Sequence, residues 1–411
     1  MKRRDFLQRS ALTAGTLAWS SRLDTFVRDL RNASAGEGPW DVVRAAFLIP
    51  GDRIYLNVGT LGPQPRVVVD AVVEHTRQVA MTLPPSTDWH ALKARVGTLL
   101  NGDPEGFVFP RNTTEAMSFI ANGLELQSDD EVLTTLHEHV GGLSCWELLA
   151  ARRGVRLRQL ELPVPAGSSE ELTDVFRRAL TSRTRVISVS HVTFTNGTVM
   201  PVADIAAMCR ERGIICVVDG AHPPGMVRVD LRAIDADFYA SSPHKWLCAP
   251  QGTGLLYMRD EWRRRLWPTL ASGGWNDTSL GAHRFNHLGT LDESRLAGLD
   301  AALRLQEAIG PDVIEARIRE LDAMLVARLD DIPGVRIMSP QDPSLGVGLI
   351  AFTVAGLESI ELQRRLSQAN VRTRVVSEYG YGWMRLSPHV YNTEGEIERV
   401  AELIAGESGG M

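Results

Sequence analysis

The sequence predicts an α/β protein with a mostly parallel sheet buried between helices, and two patterns carry that prediction. From about Pro39 onwards, short and nearly all-apolar runs alternate with helical patterns, which is typical of repeated βαβ units. The apolar runs lack the polar–apolar alternation of a half-exposed strand, so we expect helices on both faces of the sheet. The clearest predicted strands are Arg185 to Ser190, Ile214 to Asp219, Asp237 to Ser241 and Gly254 to Met258.

Helical patterns separate these strands and then dominate the chain up to about residue 331. Glu170 to Thr181 and Val202 to Arg212 are predicted helices, and Gly213 is a suitable stop for the second. Arg295 to Asp331 is a long helical stretch broken at Gly310-Pro311. Beyond Pro333-Gly334 a smaller α+β pattern follows, with predicted strands at Gly348 to Val354 and Val371 to Val376, and helices at Glu358 to Ala369 and from Thr393.

These shifts in pattern predict the domain organisation. We expect a signal region at residues 1–35, an N-terminal arm at 36–59 that packs on the small domain, a large α/β domain at 60–290, connecting helices at 291–332 and a small C-terminal α+β domain at 333–411.

Composition excludes several classes of function. The chain has 411 residues with a net charge of −6, so it lacks the basic footprint of a nucleic-acid-binding protein. No apolar stretch reaches the roughly 18 residues of a membrane-spanning helix, so we expect no membrane insertion. The four cysteines contain no CxxC pair, which argues against a zinc ribbon or a redox dithiol. We therefore expect no metal site.

The N-terminus resembles a twin-arginine export signal. Arg3-Arg4 is followed by Phe6-Leu7 and by a weakly apolar stretch from Ala11 to Trp19, and Ala33-Ser34-Ala35 is a candidate cleavage site. We therefore expect export by the twin-arginine translocase to the periplasm or the extracellular space. The alternative is a cytoplasmic protein with a plain basic N-terminus, in which Arg22 to Arg31 forms a helix of the mature chain.

The strongest chemical signal is Lys245, in the segment Ser242-Pro243-His244-Lys245 directly after a predicted strand. Lysines are seldom placed at the end of a buried strand. A lysine held there can have a lowered pKa and attack an aldehyde as a nucleophile. The alternative is a lysine whose ammonium group extends to solvent.

Asp219 gives Lys245 a context. It ends the predicted strand Ile214 to Asp219 and is followed by Gly220-Ala221-His222, and ligands of open α/β sheets bind beyond the carboxyl ends of the strands. An aspartate there can pair with the pyridine nitrogen of pyridoxal 5′-phosphate (PLP) and help the ring to accept electrons. The alternative is an aspartate that caps the next turn.

A candidate phosphate-binding site lies at Asn112-Thr113-Thr114-Glu115-Ala116, which begins a helix after the predicted strand Phe107 to Phe109. Free N–H groups at a helix N-terminus suit a phosphate, and Thr113 and Thr114 add hydroxyl groups. The alternative is an ordinary helix cap in which the asparagine or threonine is followed by an acid.

Taken together, the motifs resemble the class V aminotransferase family, which includes cysteine desulfurases and isopenicillin N epimerase-like enzymes. The resemblance covers about residues 50 to 405. It rests on Asn112 to Ala116, Glu138-His139, Asp219 to His222, Ser242 to Lys245, Gly289-Thr290 and Arg385 to His389. It implies the type I fold of PLP-dependent transferases, with the cofactor in the large domain, and a homodimer with shared sites.

The resemblance also implies a role for each matching residue. Lys245 would hold PLP as a Schiff base and move protons, with Asp219 on the pyridine nitrogen and His139 stacked on the ring. His222 would lie near the cofactor, Arg385 would bind the substrate carboxylate, and Asn57 would lie beside the substrate. The phosphate would be held by Thr114, Thr113, Ser242 and His244, and by Thr290 from the neighbouring subunit.

Two departures from the family pattern bear on these roles. Many relatives have an asparagine three residues before the glycine that matches Gly197, where it contacts the cofactor ring oxygen. Phe194 stands at that position here, so Asn196, which lies next to the glycine, is the candidate for this contact. The segment from Ser377 to Trp383 has no counterpart of the catalytic cysteine of desulfurases, and its aromatic residues are expected to shape the substrate pocket instead.

The resemblance therefore implies an enzyme that acts on an amino acid or a similar amine through an external aldimine and an α-carbanion, as an aminotransferase or an isopenicillin N epimerase-like enzyme. One alternative is a β-elimination lyase of the carbon–sulfur type that uses no persulfide cysteine. The other is a non-catalytic binding protein with the same fold.

Overall fold

A computed structural model describes residues 19–33, 38–81 and 87–408. The α-helices are α1 (19–33), α2 (Pro39–Ala45), α3 (Arg66–Met81), α4 (Trp89–Leu100), α5 (Thr113–Gly123), α6 (Val140–Arg153), α7 (Ser169–Ala179), α8 (Val202–Glu211), α9 (Leu231–Ile234), α10 (Trp262–Arg265), α11 (Ser294–Ile309), α12 (Pro311–Asp330), α13 (Ser359–Gln368) and α14 (Glu394–Ser408). Short 3₁₀ helices lie at Pro104–Gly106, Thr278–Asn286 and Glu378–Gly380.

The strands are β1 (Ile54–Tyr55), β2 (Phe107–Val108), β3 (Glu131–Thr135), β4 (Arg156–Leu160), β5 (Thr184–Ser190), β6 (Ile215–Asp219), β7 (Phe238–Ser241), β8 (Leu255–Met258), β9 (Val335–Ile337), β10 (Ile350–Val354), β11 (Val371–Arg372), β12 (Arg374–Val376) and β13 (Trp383–Leu386). The elements predicted from the sequence are present with bounds shifted by one or two residues, except that the strand predicted at Val371 to Val376 is divided in two.

A seven-stranded sheet with the order β2-β8-β7-β6-β5-β3-β4 forms the centre of the large unit. The pairs among β7, β6, β5, β3 and β4 are parallel, which confirms the predicted α/β class with a mostly parallel sheet. Strand β8 runs antiparallel to both β7 and β2. The direction of this strand cannot be predicted from the sequence, because an inner strand that is covered on both faces is apolar whether it runs parallel or antiparallel.

The apolar strands are explained by two hydrophobic cores, one on each face of this sheet. In β6, Cys216 and Val218 belong to one core while Val217 belongs to the other. Successive side chains of a strand point to opposite faces, so both sets must be apolar for helices to pack on both sides. The carboxyl ends of β6 and β7 then deliver Asp219 and the segment from Ser242 to Lys245 to one edge of the sheet.

The C-terminal unit is a four-stranded antiparallel sheet with the order β12-β13-β10-β9 and a core of its own. The N-terminal arm joins it, because β1 pairs in parallel with β11 and Asn57 forms a bridge to Ser387. This pairing brings Gly59 and Thr60 to the junction of the two units.

The two long helices before this unit connect the cores. Leu296 and Leu299 of α11 pack in the large core. In α12, Ile318 belongs to the large core and Leu321 to the small one. The helix α12 therefore spans both cores and ties the C-terminal unit to the sheet.

Arg3 and Arg4, on which the predicted export signal depends, lie outside the described residues. The stretch from Arg22 to Arg31 lies within α1, and Arg22 forms an ion pair of 2.8 Å with Asp70 of α3. Within residues 19–33, 38–81 and 87–408, no helix combines the length and the apolar character needed to cross a bilayer. The same residues contain no His, Cys, Asp or Glu cluster suited to a metal ion.

Candidate functional site

A cavity of about 260 Å³ lies where the carboxyl ends of β6 and β7 meet the N-terminal arm and the C-terminal unit. That volume is close to the lower end of the range for small-molecule sites, about 300–1,000 Å³. Its lining brings together most of the site residues predicted from the sequence, namely Lys245, Asp219, His139, His222, Thr113, Thr114, Ser242, His244 and Arg385.

Lys245 ends a chain of hydrogen bonds that begins at Trp246. The indole N–H of Trp246 donates to Nδ1 of His222 at 3.0 Å, and Nε2 of His222 lies 3.1 Å from Nζ of Lys245. Since Nδ1 accepts, the proton of the neutral imidazole is on Nε2 and points at Nζ, which must then accept it as an uncharged amine. Burial, reinforced by the charges of Arg385 and Arg374 and opposed by Asp219, lowers the pKa of Lys245 to about 7. Geometry and electrostatics thus agree on a lysine suited to nucleophilic attack and to proton removal.

Asp219 presents one carboxylate oxygen to the cavity. Its Oδ1 accepts the backbone N–H of Ala221 at 2.9 Å, which confirms the turn-capping role given as the alternative. Burial raises the pKa of Asp219, and the charge of Lys245 opposes that rise. A Cβ atom on Gly142 would lie 2.5 Å from Oδ2, so the glycine keeps room beside that oxygen for a partner.

His139 is the N-cap of α6, and its ring nitrogen Nδ1 accepts the backbone N–H of Gly141 at 3.0 Å. The proton of its neutral ring is therefore on Nε2. Burial first, and then the charges of Lys245 and Arg374, lower the pKa of His139 to about 4. His139 is thus a neutral N–H donor at neutral pH, and its ring meets that of Phe194 edge-on at 5.2 Å.

The N-terminus of α5 opens into the cavity beside the segment that contains Lys245. Oγ of Ser242 accepts the backbone N–H of Thr113 at 3.1 Å and lies 2.8 Å from its Oγ1. Asn112 caps the helix by accepting the N–H of Glu115 at 2.9 Å, so the predicted capping role is confirmed, and the residues of this N-terminus line the cavity. Nδ1 of His244 lies 3.3 Å from the carbonyl oxygen of Thr253. Because that oxygen only accepts, the neutral ring carries no proton on Nε2.

Arg385 is fully buried and only partly satisfied. Its Nη1 donates to the carbonyl oxygen of Phe194 at 2.6 Å, and its Nη2 donates to Oγ1 of Thr60 at 3.3 Å. Within the described parts of the chain, its Nε has no hydrogen-bond partner. Burial, reinforced by the charge of Arg374 and opposed by Glu378, lowers the pKa of Arg385 to about 9. A buried donor without a partner suits an incoming acceptor such as a carboxylate.

Three predicted site residues are not brought to the lining of this cavity. Oδ1 of Asn57 accepts from Oγ1 of Thr60 at 2.9 Å and lies 3.5 Å from Nη2 of Arg385. Asn57 therefore lies beside Arg385 outside the cavity lining, which corrects its predicted position beside the substrate.

Thr290 is exposed on a surface segment, and its predicted contact with a second subunit stays a prediction.

Asn196 does not take over the place that Phe194 holds in the cavity. Its Oδ1 accepts from Oγ1 of Thr193 at 2.7 Å and of Thr198 at 2.9 Å, and its Nδ2 donates to the carbonyl oxygen of Met338 at 2.9 Å. These bonds hold the turn around Gly197 together and join it to Met338. The predicted contact between Asn196 and the cofactor is thus not supported, since the side chain is already bonded elsewhere.

The aromatic loop from Ser377 to Trp383 contributes no residue to the cavity lining, contrary to expectation. The ring of Tyr381 stacks on Trp383 at 4.1 Å, and its hydroxyl lies 3.1 Å from Nε2 of His137. The hydroxyl of Tyr379 donates to the carbonyl oxygen of Glu138 at 2.7 Å. The loop therefore fastens the C-terminal unit to the large one. All four cysteines are buried, and none of them lines the cavity.

Sequence reasoning missed Arg374, Thr60 and Ser190, which line the cavity, and it identified Phe194 only as a departure from the family pattern. Arg374 lies in the predicted strand from Val371 to Val376, so its element was known. What was missing was the pairing of that strand with the one that carries Arg385, which the sequence does not reveal.

Comparison with known proteins gives consistent matches. The model of the family described as aminotransferase class-V matches residues 75–400. The isopenicillin N epimerase of Streptomyces clavuligerus is 32% identical, over 90% of this chain and 98% of the relative. A cysteine desulfurase of Cronobacter sakazakii is 30% identical, over 86% of this chain and 92% of the relative.

Solved structures show the same fold. A complex of the cystine C–S lyase C-DES with its reaction product cysteine persulfide has a TM-score of 0.79 at 25% identity, covering 86% of this chain and 98% of the other. The apo cysteine desulfurase of Thermococcus onnurineus NA1 has a TM-score of 0.80 at 24% identity, covering 90% and 98%. The fold predicted from the resemblance is confirmed.

Proposed function

The chain belongs to the class V aminotransferase family, whose cofactor is PLP, and on that premise we propose that it is an epimerase-type enzyme. It would remove the α-proton of an amino acid and return a proton to the opposite face. One observation carries the proposal. A single cavity is lined by two separate groups able to move a proton, Lys245 and His139, and by Arg385, whose Nε has no hydrogen-bond partner within the described residues.

The cavity fits PLP. The cofactor needs space beside the groups that would hold it, and two glycines provide it, since a Cβ on Gly141 would lie 2.4 Å from Oγ1 of Thr114 and one on Gly142 would lie 2.5 Å from Oδ2 of Asp219. Thr113, Thr114, Ser242 and the N-terminus of α5 would hold the phosphate. His244 would join them by taking up a proton on Nε2, which a nearby phosphate favours.

PLP that is bound to a substrate amine draws electrons from the α-carbon and so weakens the bonds to that carbon. Asp219 would hold a proton on the pyridine nitrogen through Oδ2. Arg385 would bind the α-carboxylate with the unpartnered Nε, and so would orient the α-carbon toward Nζ of Lys245. Lys245, which the His222 chain keeps uncharged, would accept the α-proton at Nζ.

Proton return distinguishes the possible reactions. Inversion requires a donor other than Lys245, and Nε2–H of His139 is such a donor in the same cavity. Transamination requires no second donor, because Lys245 alone can return the proton to a carbon of the cofactor instead of the α-carbon. The 32% identity to the isopenicillin N epimerase of Streptomyces clavuligerus also supports inversion.

Desulfuration through a cysteine persulfide on the enzyme is disfavoured, because the loop from Ser377 to Trp383 has no cysteine and the four cysteines are buried away from the cavity. A β-elimination that needs no such cysteine is the second candidate. It is supported by the similarity to C-DES, which is described as a cystine C–S lyase.

The test is to incubate the PLP-loaded protein with a panel of amino acids in deuterated water. Deuteration at the α-carbon with inversion supports the proposal. Keto-acid formation identifies an aminotransferase, and release of pyruvate and ammonia identifies a lyase. Borohydride should attach the cofactor to Lys245, and Lys245→Ala is the control. A colourless protein that takes up no added PLP contradicts the whole proposal.

We further propose export by the twin-arginine translocase to the periplasm or the extracellular space, supported by Arg3-Arg4 and the apolar stretch that follows. Replacing both arginines by lysine should retain the protein in the cytoplasm, and export of that variant would contradict the proposal.

We also propose a homodimer in which Thr290 contacts the phosphate of the partner's site, supported by the family resemblance at Gly289-Thr290 and by the exposure of Thr290. Light scattering should give the mass of a dimer. Thr290→Val should weaken PLP binding and leave the dimer intact. A monomer with full PLP affinity would contradict this.

A further inference from the structure

Two arginines face the same cavity from adjacent strands. Arg374 of β12 lies directly opposite Arg385 of β13 in the antiparallel register, and both side chains line the cavity. Like charges directly opposite each other destabilise a sheet, so this pairing is unfavourable unless an anionic group lies near it.

Neighbouring groups hold the two guanidinium groups close together. Oγ1 of Thr60 accepts from Nη2 of Arg385 at 3.3 Å and from Nη1 of Arg374 at 3.5 Å. Phe194 also contacts both, since its carbonyl oxygen accepts from Arg385 and its ring lies 5.6 Å from the guanidinium carbon of Arg374. The phenylalanine that departs from the family pattern is therefore part of what positions Arg374.

Glu378 is the carboxylate that neutralises part of the charge of the two arginines. Glu378 forms an ion pair with Arg374, but its second oxygen, Oε2, is buried and has no partner within the described residues. Glu378 itself does not line the cavity. In the described residues Arg385 has no ion-pair partner. When one substrate carboxylate binds Arg385, the side chain of Arg374 still lines the cavity beside it.

We propose that Arg374 binds a second acidic group of the substrate. The substrate class is then an amino acid with two acidic groups, with the α-carboxylate on Arg385 and the other on Arg374. This inference rests on the proposed function, since it assigns Arg385 to the α-carboxylate. Arg374 would determine specificity and would not move a proton.

The test uses the PLP-loaded protein and pairs of amine-free ligands that differ only in charge, namely succinate and succinamate, glutarate and glutaramate, and adipate and adipamate. Dissociation constants come from calorimetry and from the cofactor absorbance. We expect at least one diacid to bind about tenfold or more tightly than its monoamide, because a hydrogen bond to a charged group has that size.

Variants assign this preference to a residue. Arg374→Gln should remove it, Arg374→Lys should keep part of it, and Glu378→Gln should strengthen diacid binding because it removes a competing carboxylate. Arg372→Gln, at an exposed arginine two residues away, is the matched control and should leave the preference unchanged.

The inference is overturned if no diacid is preferred over its monoamide, or if Arg374→Gln keeps the wild-type preference. If the protein exchanges the α-proton of alanine in deuterated water but shows no diacid preference, this inference alone fails. If the loaded protein exchanges no α-proton from any amino acid, the proposed function fails and this inference fails with it.

Discussion

Nε2 of His222 lies 3.1 Å from Nζ of Lys245, while the other ring nitrogen of His222 accepts the indole N–H of Trp246. The indole therefore sets which nitrogen of His222 carries the proton, and the imidazole N–H in turn requires an uncharged Lys245. Trp246 does not line the cavity, and it is bonded through His222 to the lysine beside it in sequence.

Trp246→Phe should shift the pH dependence of PLP uptake. In the wild type, uptake by the apoprotein should rise with pH through about 7, where Lys245 loses its proton. Without the indole donor, His222 can hold its proton on Nδ1 and accept from a charged Lys245, which raises the lysine pKa. We expect the midpoint to move up by about one to two pH units, the size of one charged hydrogen bond. Stopped-flow absorbance measures it.

Trp146→Phe is the matched control for that experiment. Trp146 is also fully buried, and its indole N–H donates to Oγ of Ser188 at 2.9 Å, away from His222. It should destabilise the protein to a similar degree and leave the midpoint in place. Equal midpoints in all three proteins would show that Trp246 does not set the state of Lys245.

Arg385→Gln should weaken the binding of amino acids about ten- to a hundredfold, because it removes a charged donor from a buried site. The binding of amines without a carboxylate should change much less. Arg385→Lys should not restore binding, since an ammonium group cannot reproduce the planar fork. Spectral titration of the loaded protein measures these affinities, and unchanged affinity for alanine in Arg385→Gln would remove this arginine from the site.

His139→Phe should separate proton removal from inversion. The phenyl ring keeps an aromatic surface in the cavity but has no Nε2–H, so inversion should slow by about 10²–10⁴-fold, the usual contribution of a general acid. Exchange of the α-proton with retention should continue through Lys245. NMR in deuterated water, combined with chiral chromatography, follows both. Inversion at the wild-type rate would assign the second proton to another group.

Gly142→Ala should weaken PLP binding, because the new methyl group would lie 2.5 Å from Oδ2 of Asp219. Gly395→Ala is the control, since it also lies in a helix and its Cβ would meet only one atom, at 3.9 Å. That control should keep its PLP affinity. If Gly142→Ala binds PLP as tightly as the wild type, the space beside Oδ2 of Asp219 is not needed for PLP binding. Equilibrium dialysis gives the affinities.

The sequence by itself determined the fold class and the large-domain half of the site. Apolar runs of strand length followed by Asp219 and by the segment with Lys245 are local patterns. Because the carboxyl ends of parallel strands meet at one edge of a sheet, these patterns predict that the two residues lie close together. The helix N-terminus at Thr113 was readable for the same reason, since a capping residue and the helix it begins are adjacent in the chain.

Only the tertiary structure decided the remainder. Which strands pair, and in what alignment, decides three features of the site. These are the position of Arg374 opposite Arg385, the contact of Thr60 with both arginines, and the places of Asn57 and Asn196 outside the cavity lining. Pairing joins segments far apart in the chain, and a shift of one residue would turn each side chain to the other face. No local pattern carries that information. The sequence could thus identify Lys245 as the reactive lysine, whereas the fold determined the hydrogen-bond partner, the lowered pKa and the charged neighbours of that lysine.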